Sequence, residues 1–199
     1  MKRILLLLPL LILAGCQSTK GESRFNPIVT DVNVEKIAVV VPNDVRTENN
    51  IVDGINAQGT TATSLTRVIE FINDDSQIAS TIKANGITHV LVVSGSIGQE
   101  DIRYAGSITN SYTNATAFGT TQTAYATAYT NSYSTPIYSS NNFASVNGKL
   151  YSSDGELIWI TDVELEAQGA VYTGVKAMSE GIAKGIVKEM KKSGLLANK

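Results

Sequence analysis

The apolar run Ile37 to Val41 is β-branched except for Ala38, and Pro42 closes it. An unbroken run of this kind predicts a strand buried on both faces, within 34–42. Ile51, Val52 and Ile55 then recur at helical spacing, which predicts a helix over 45–58, weakened by Gly54. Residues 60–72 are mixed. Thr60 to Thr63 favour a strand, while Leu65, Val68, Ile69 and Ile72 step as a helix, so a short strand and a helical turn are expected. Asp74-Asp75-Ser76-Gln77 has capping-box spacing, Asp at N-cap and Gln at N3, ahead of a buried stripe of Ile78, Ala79 and Ile82. Asn85-Gly86 supplies a left-handed stop, and Ile87 to Ser94 reads as a second buried strand.

Residues 142–168 read as a hairpin turning at Ser153-Asp154-Gly155-Glu156. On its return strand Leu157, Trp159, Thr161, Val163 and Leu165 alternate with Ile158, Ile160, Asp162, Glu164 and Glu166, giving one dry face and one largely wet face. Val175, Met178, Ile182, Ile186 and Met190 step along a closing helix. Lys184, Lys188, Lys191 and Lys192 gather toward its C-terminus, and Gly194 follows as a cap. Gly181 and Gly185 lie one turn apart on it. The surrounding lysines and Glu180 exclude a membrane span, so the pair is expected to pack the helix closely on the sheet. The expected fold class is α/β (α+β): a mixed β-sheet with about three helices, in the order β-α-β-α-β, a long insertion, β-β, α.

That insertion, 104–148, contains no charged residue. It is rich in Ser, Thr, Asn and Ala and carries Tyr104, Tyr112, Tyr125, Tyr129, Tyr133 and Tyr138. Three outcomes are open: a β-hairpin or loop elaborating the sheet, a partner-binding or self-associating surface, and a membrane-inserting hairpin. Tyr125, Tyr129 and Tyr133 are the candidate partner contacts, because tyrosine supplies a large contact area at small entropy cost.

The segments KIAVVVP, ANGITHVLVV, NGKLYSSDGELIWI and the closing helix up to SGLL resemble the TolB amino-terminal-domain-like fold, over most of 34–196 outside the insertion. That group includes the curli-secretion lipoprotein CsgG and the penicillin-binding-protein activator LpoB. The resemblance implies a binding or assembly role in the cell envelope as an accessory subunit. Its alternatives are an oligomeric secretion-channel subunit like CsgG and an activator of peptidoglycan synthesis like LpoB.

The N-terminus supplies an address. Lys2 and Arg3 precede an apolar stretch, Ile4 to Leu13, about half the roughly 20 residues that a spanning helix needs. A secretory signal over 1–15 fits better than a permanent span. Leu13-Ala14-Gly15-Cys16 resembles the lipobox of bacterial lipoproteins, which implies lipidation of Cys16, three acyl chains (palmitate among them), and Cys16 as the first mature residue. Gln17 in place of aspartate implies, by the same resemblance, the outer membrane with the body facing the periplasm. Residues 16–33 are then the lipidated N-terminus and tether, with the small polar stretch 17–27 as its flexible part. Cys16 is the sole cysteine, so an intrachain disulfide is excluded.

Composition narrows the function classes. Lys and Arg number 16 against 18 Asp and Glu, so there is no basic excess for nucleic acid, which is not expected as a partner. The expected partners are the membrane, through Cys16, and an envelope protein or further copies of the chain. His89 is the single histidine and falls on the dry face of a buried strand beside Leu91 and Val93, a structural position. Ser94-Gly95-Ser96-Ile97-Gly98 lacks the first glycine of a nucleophile elbow, and neither a Walker loop nor a dinucleotide fingerprint occurs. Neighbours in the row Asp162, Glu164 and Glu166 are about 6.6–6.8 Å apart, wide for sharing one ion. No catalytic residue, metal or cofactor is expected.

Overall fold

The computed structural model describes residues 16–29, 32–120, 123–169 and 171–197, without the side chains of 75 and 114–128. The expected signal segment 1–15 and Tyr125 as a side chain therefore lie outside the described residues. The protein is mixed α+β and divides into two compact units. One comprises Met1–Asp101 with Asn141–Lys199, the other Ile102–Ser140.

In the first unit the elements run β1 (Cys16–Phe25), β2 (Lys36–Val40), α1 (Val45–Ala57), β3 (Thr61–Ser64), α2 (Leu65–Ile69), a 3-10 turn at Asp75–Gln77, α3 (Ile78–Ala84) and β4 (His89–Ile97). After β5 (Asp101–Thr120) and β6 (Thr123–Ser152) come β7 (Leu157–Gln168) and α4 (Val175–Lys192). The sheet order is β1-β7-β6-β4-β2-β3. β2 is parallel to β3 and β4, while β4–β6, β6–β7 and β7–β1 are antiparallel. The parallel strands are joined by helices, as such connections require, and the antiparallel pair β6–β7 by the Asp-Gly turn, where Gly155 has φ +89.

Helices α1 and α4 cover one sheet face. Their Ile51, Ile55, Met178, Ile182, Ile186 and Met190 meet Ile37, Val39, Leu91, Leu150, Trp159 and Leu165 in the main core. On the opposite face a smaller cluster of Ala38, Leu65, Ile82 and Ile87 places α2 and α3 over β2, so β2 is buried on both sides. Beyond that cluster Ser18, Lys20 and Glu22 on β1 and Asp162, Glu164 and Glu166 on β7 are exposed.

Three local expectations change. Residues 17–27 were expected as a tether, yet Cys16–Phe25 is an edge strand in ladder with β7, from Cys16↔Gln168 to Phe25↔Trp159. Its inward row, Gln17, Thr19, Gly21 and Ser23, is polar or small, so it carries no hydrophobic alternation to betray a strand. The capping box is spent differently: the Asp74 carboxylate accepts from the Ser76 N–H, closing a turn, and α3 starts only at Ile78 without a side-chain cap. Finally, Asn141 to Gly148 belongs to the body sheet, with Asn142, Ala144 and Val146 buried at alternate positions.

The second unit is a two-stranded ribbon in which β5 pairs with β6. Thr109 bonds Ser134 at 3.4 Å, Ser111 bonds Ser132 at 3.0 Å, and Thr113 bonds Thr130 at 3.0 Å, so hydroxyls line one face. Side chains alternate along a strand, so Tyr129 and Tyr133 occupy the other face.

Candidate functional site

Strand β1 fixes the position of Cys16, and three glycines fix β1. A Cβ on Gly21 would lie 2.5 Å from Glu189 Cγ, one on Gly181 2.6 Å from Gln17 Nε2, and one on Gly185 2.6 Å from Val163 Cγ1. The Gly181/Gly185 pair thus lets α4 approach β1 and β7, the close packing that the helix spacing predicted. Polar bonds complete the seam. Gln17 Nε2 donates to the Ala177 carbonyl at 3.0 Å, and the Ser23 hydroxyl to Glu189 Oε2 at 3.1 Å. Ser23 also bonds Ser193, which accepts from Trp159 Nε1 at 3.0 Å. Glu189 itself is buried and takes a further hydrogen bond from Lys192.

Cys16 is therefore the exposed first residue of an anchored strand rather than the end of a leash. It lies opposite Gln168, which lies opposite Asn141. Two strand spacings, about 10 Å, separate Cys16 from Asn141, where the chain re-enters the first unit from the ribbon. Glu100, just before the exit, accepts from the Thr173 hydroxyl at 2.5 Å, and Asn142 Nδ2 donates to the Thr173 carbonyl at 2.9 Å. Both chain crossings are thus tied to the segment joining β7 to α4, at the Cys16 end of the sheet.

Of the candidate contacts, Tyr129 and Tyr133 are each 70 % exposed on the ribbon, and Tyr112 is similarly open. Tyr104 and Tyr138 pack edge to face with ring centroids 6.1 Å apart.

The row Asp162, Glu164, Glu166 is solvated. Asp162 Oδ1 accepts from Asn147 at 2.7 Å, and Oδ2 from Arg24 at 3.1 Å. The hydrogen bond from Asn147 first, then that from Arg24, holds this carboxyl below its usual range. His89 is buried, its Nδ1 2.9 Å from Thr88 Oγ1, and desolvation pushes its pKa down. Among the described residues no three His, Cys, Asp or Glu side chains are grouped to hold a metal ion, and no helix is long and apolar enough to cross a membrane.

Two features escaped the sequence. Glu48 on α1 is fully buried: it accepts from the Val41 N–H at 3.1 Å, the Thr66 N–H at 3.3 Å, the Thr66 hydroxyl at 2.8 Å and the Ser64 hydroxyl. One carboxylate thereby ties the ends of β2 and β3 to α2. A cleft of about 400 Å³ opens at the carboxyl ends of β2 and β4, lined by Asp44, Thr47, Ser94, Ser96 and Ile182 among others. Open α/β sheets place ligands at such a point, but here Asp44 is committed to capping α1 through the Thr47 N–H at 3.0 Å and hydroxyl at 2.5 Å.

No family model matches the chain, and no curated protein matches it. Among solved structures it is similar to PelC from Paraburkholderia phytofirmans, a dodecamer. A single-substitution variant of that PelC is 13% identical with a TM-score of 0.44, covering 84% of this chain and 96% of that one. A second PelC dodecamer is 11% identical with a TM-score of 0.44, covering 85% and 96%. A PDZ domain protein from Parabacteroides distasonis follows at 10% identity and a TM-score of 0.33, covering 89% of this chain and 36% of that one.

Proposed function

We propose that this chain is a non-enzymatic lipoprotein of the outer membrane. Acyl chains on Cys16 hold the first unit at the periplasmic surface, and the ribbon Ile102–Ser140 contacts an envelope protein or further copies of the chain. The observation that carries this reading is the place of Cys16: the first residue of a strand locked to β7 and α4, two strands from the ribbon's root. Lipid attached there would bring the ribbon's root to the bilayer as well. A two-stranded ribbon without charge beyond Arg103 is marginal in water alone, which favours a partner along it. Photo-crosslinking in intact cells from position 129 captures the partner, and changing Tyr125 and Tyr133 to serine beside the same crosslinker tests the contact. The adducts should weaken strongly in that double variant, and complex size should fall when all three tyrosines are serine; undiminished adducts and unchanged complex size would refute it.

A secretion-channel subunit of the CsgG kind is the second reading. It is favoured by the two-faced ribbon, hydroxyls on one side and Tyr129 and Tyr133 on the other. Protease added to protein in liposomes separates the two: cleavage within 102–140 supports the contact arm, protection supports insertion.

A further inference from the structure

The Cys16 end of the first unit also carries its own apolar surface. Helices α1 and α4 run side by side in the same direction: Thr47 bonds Ser179 at 2.9 Å near their starts, and Lys191 reaches Gln58 near their ends. β1 runs the same way, with Gln17 against Ala177 and Ser23 against Glu189. The first turns of both helices therefore sit at the end of the unit where Cys16 begins β1.

At that end three large apolar side chains face water: Val45 opening α1 at 48% exposed, Val175 opening α4 at 64%, and Val171 in the β7–α4 connection at 69%. Each helix-opening valine is followed by an exposed cation, Arg46 and Lys176. Three carboxylates share this end: Asp44 accepts from the Thr47 cap, Glu100 accepts from the Thr173 hydroxyl, and Asp101 follows it, so Arg46 and Lys176 are the groups there that would draw anionic headgroups. Apolar side chains with adjoining cations match the water–lipid boundary, where apolar groups enter the acyl edge and long basic side chains reach anionic headgroups.

We propose that this end of the first unit is a membrane seat. Val45, Val171 and Val175 enter the lipid interface beside the acylated Cys16, and Arg46 and Lys176 meet anionic headgroups. The inference rests on the anchored reading above and extends it, because the anchor becomes one of several contacts that orient the body. With Cys16 acylated, any introduced cysteine is the only free thiol. The full chain, produced with its own leader, is prepared as Val171→Cys, Val175→Cys and, at the opposite end, Glu156→Cys. Each is nitroxide-labelled and reconstituted into phosphatidylethanolamine/phosphatidylglycerol vesicles. Accessibility to oxygen relative to a water-soluble nickel chelate should be several-fold higher at 171 and 175 than at 156. Equal, water-like ratios at all three sites in protein whose mass shows acylated Cys16 would overturn the seat and leave the anchor standing. Absence of acyl mass on Cys16 removes the anchor and the seat together.

Discussion

Glu48 shows how much a single buried group organises. Its carboxylate satisfies two backbone N–H groups and two hydroxyls at the junction of β2, β3 and α2. In the sequence it is an ordinary glutamate near the start of a helix, since nothing local announces that its partners are Val41, Ser64 and Thr66. Glu48→Ala should cost about 3 kcal/mol or more, because buried donors lose their acceptor together; urea denaturation checks it, and a loss below about 1 kcal/mol would contradict the network. His89 gives a pH dependence. Its folded pKa lies below the unfolded value of about 6.5, so the unfolded chain binds the proton more readily. Stability should be full above that pH and fall as pH drops below it toward the folded value, and His89→Gln should flatten that limb. An unchanged slope between pH 7 and 5 in the variant would show that other groups dominate.

At the scale of elements, the strands and helices with clear periodicity were legible. The buried run around Ile37, the Asp154-Gly155 hairpin and the α4 stripe lie where their patterns place them, because each buries an apolar row or meets a specific turn requirement. Strand β1 was not legible. Its inward positions are Gln17, Thr19, Gly21 and Ser23, and its pairing is decided by β7 and α4, more than a hundred residues away. The usable hint lay on the partner: Gly181 and Gly185 imply that some backbone comes very close to that helix. Gly185→Ala tests the seam. Intrinsic helix propensity alone would favour alanine by about 1 kcal/mol, but a Cβ 2.6 Å from Val163 forces repacking. Net destabilisation of about 1–3 kcal/mol is expected in chemical denaturation; a stabilised variant would contradict the close packing.

At the scale of the whole molecule, the lipobox-like N-terminus runs directly into the edge of the body's sheet. The polar segment after Cys16 is part of the sheet, so the proposed acyl anchor would act on a folded unit and not on a leash. Of the candidate site, residue type alone singled out Cys16 and the tyrosines, and Cys16, Tyr129 and Tyr133 are exposed. The neighbourhood of Cys16 with the ribbon's root was not, because it depends on the register of three strands. The most direct test is the intact mass of the protein extracted from membranes, with sequencing of its first peptide. The expected result is a mature chain that starts at Cys16 and carries the added mass of its acyl chains. A chain with a free Cys16 thiol, recovered from the soluble fraction, would contradict it.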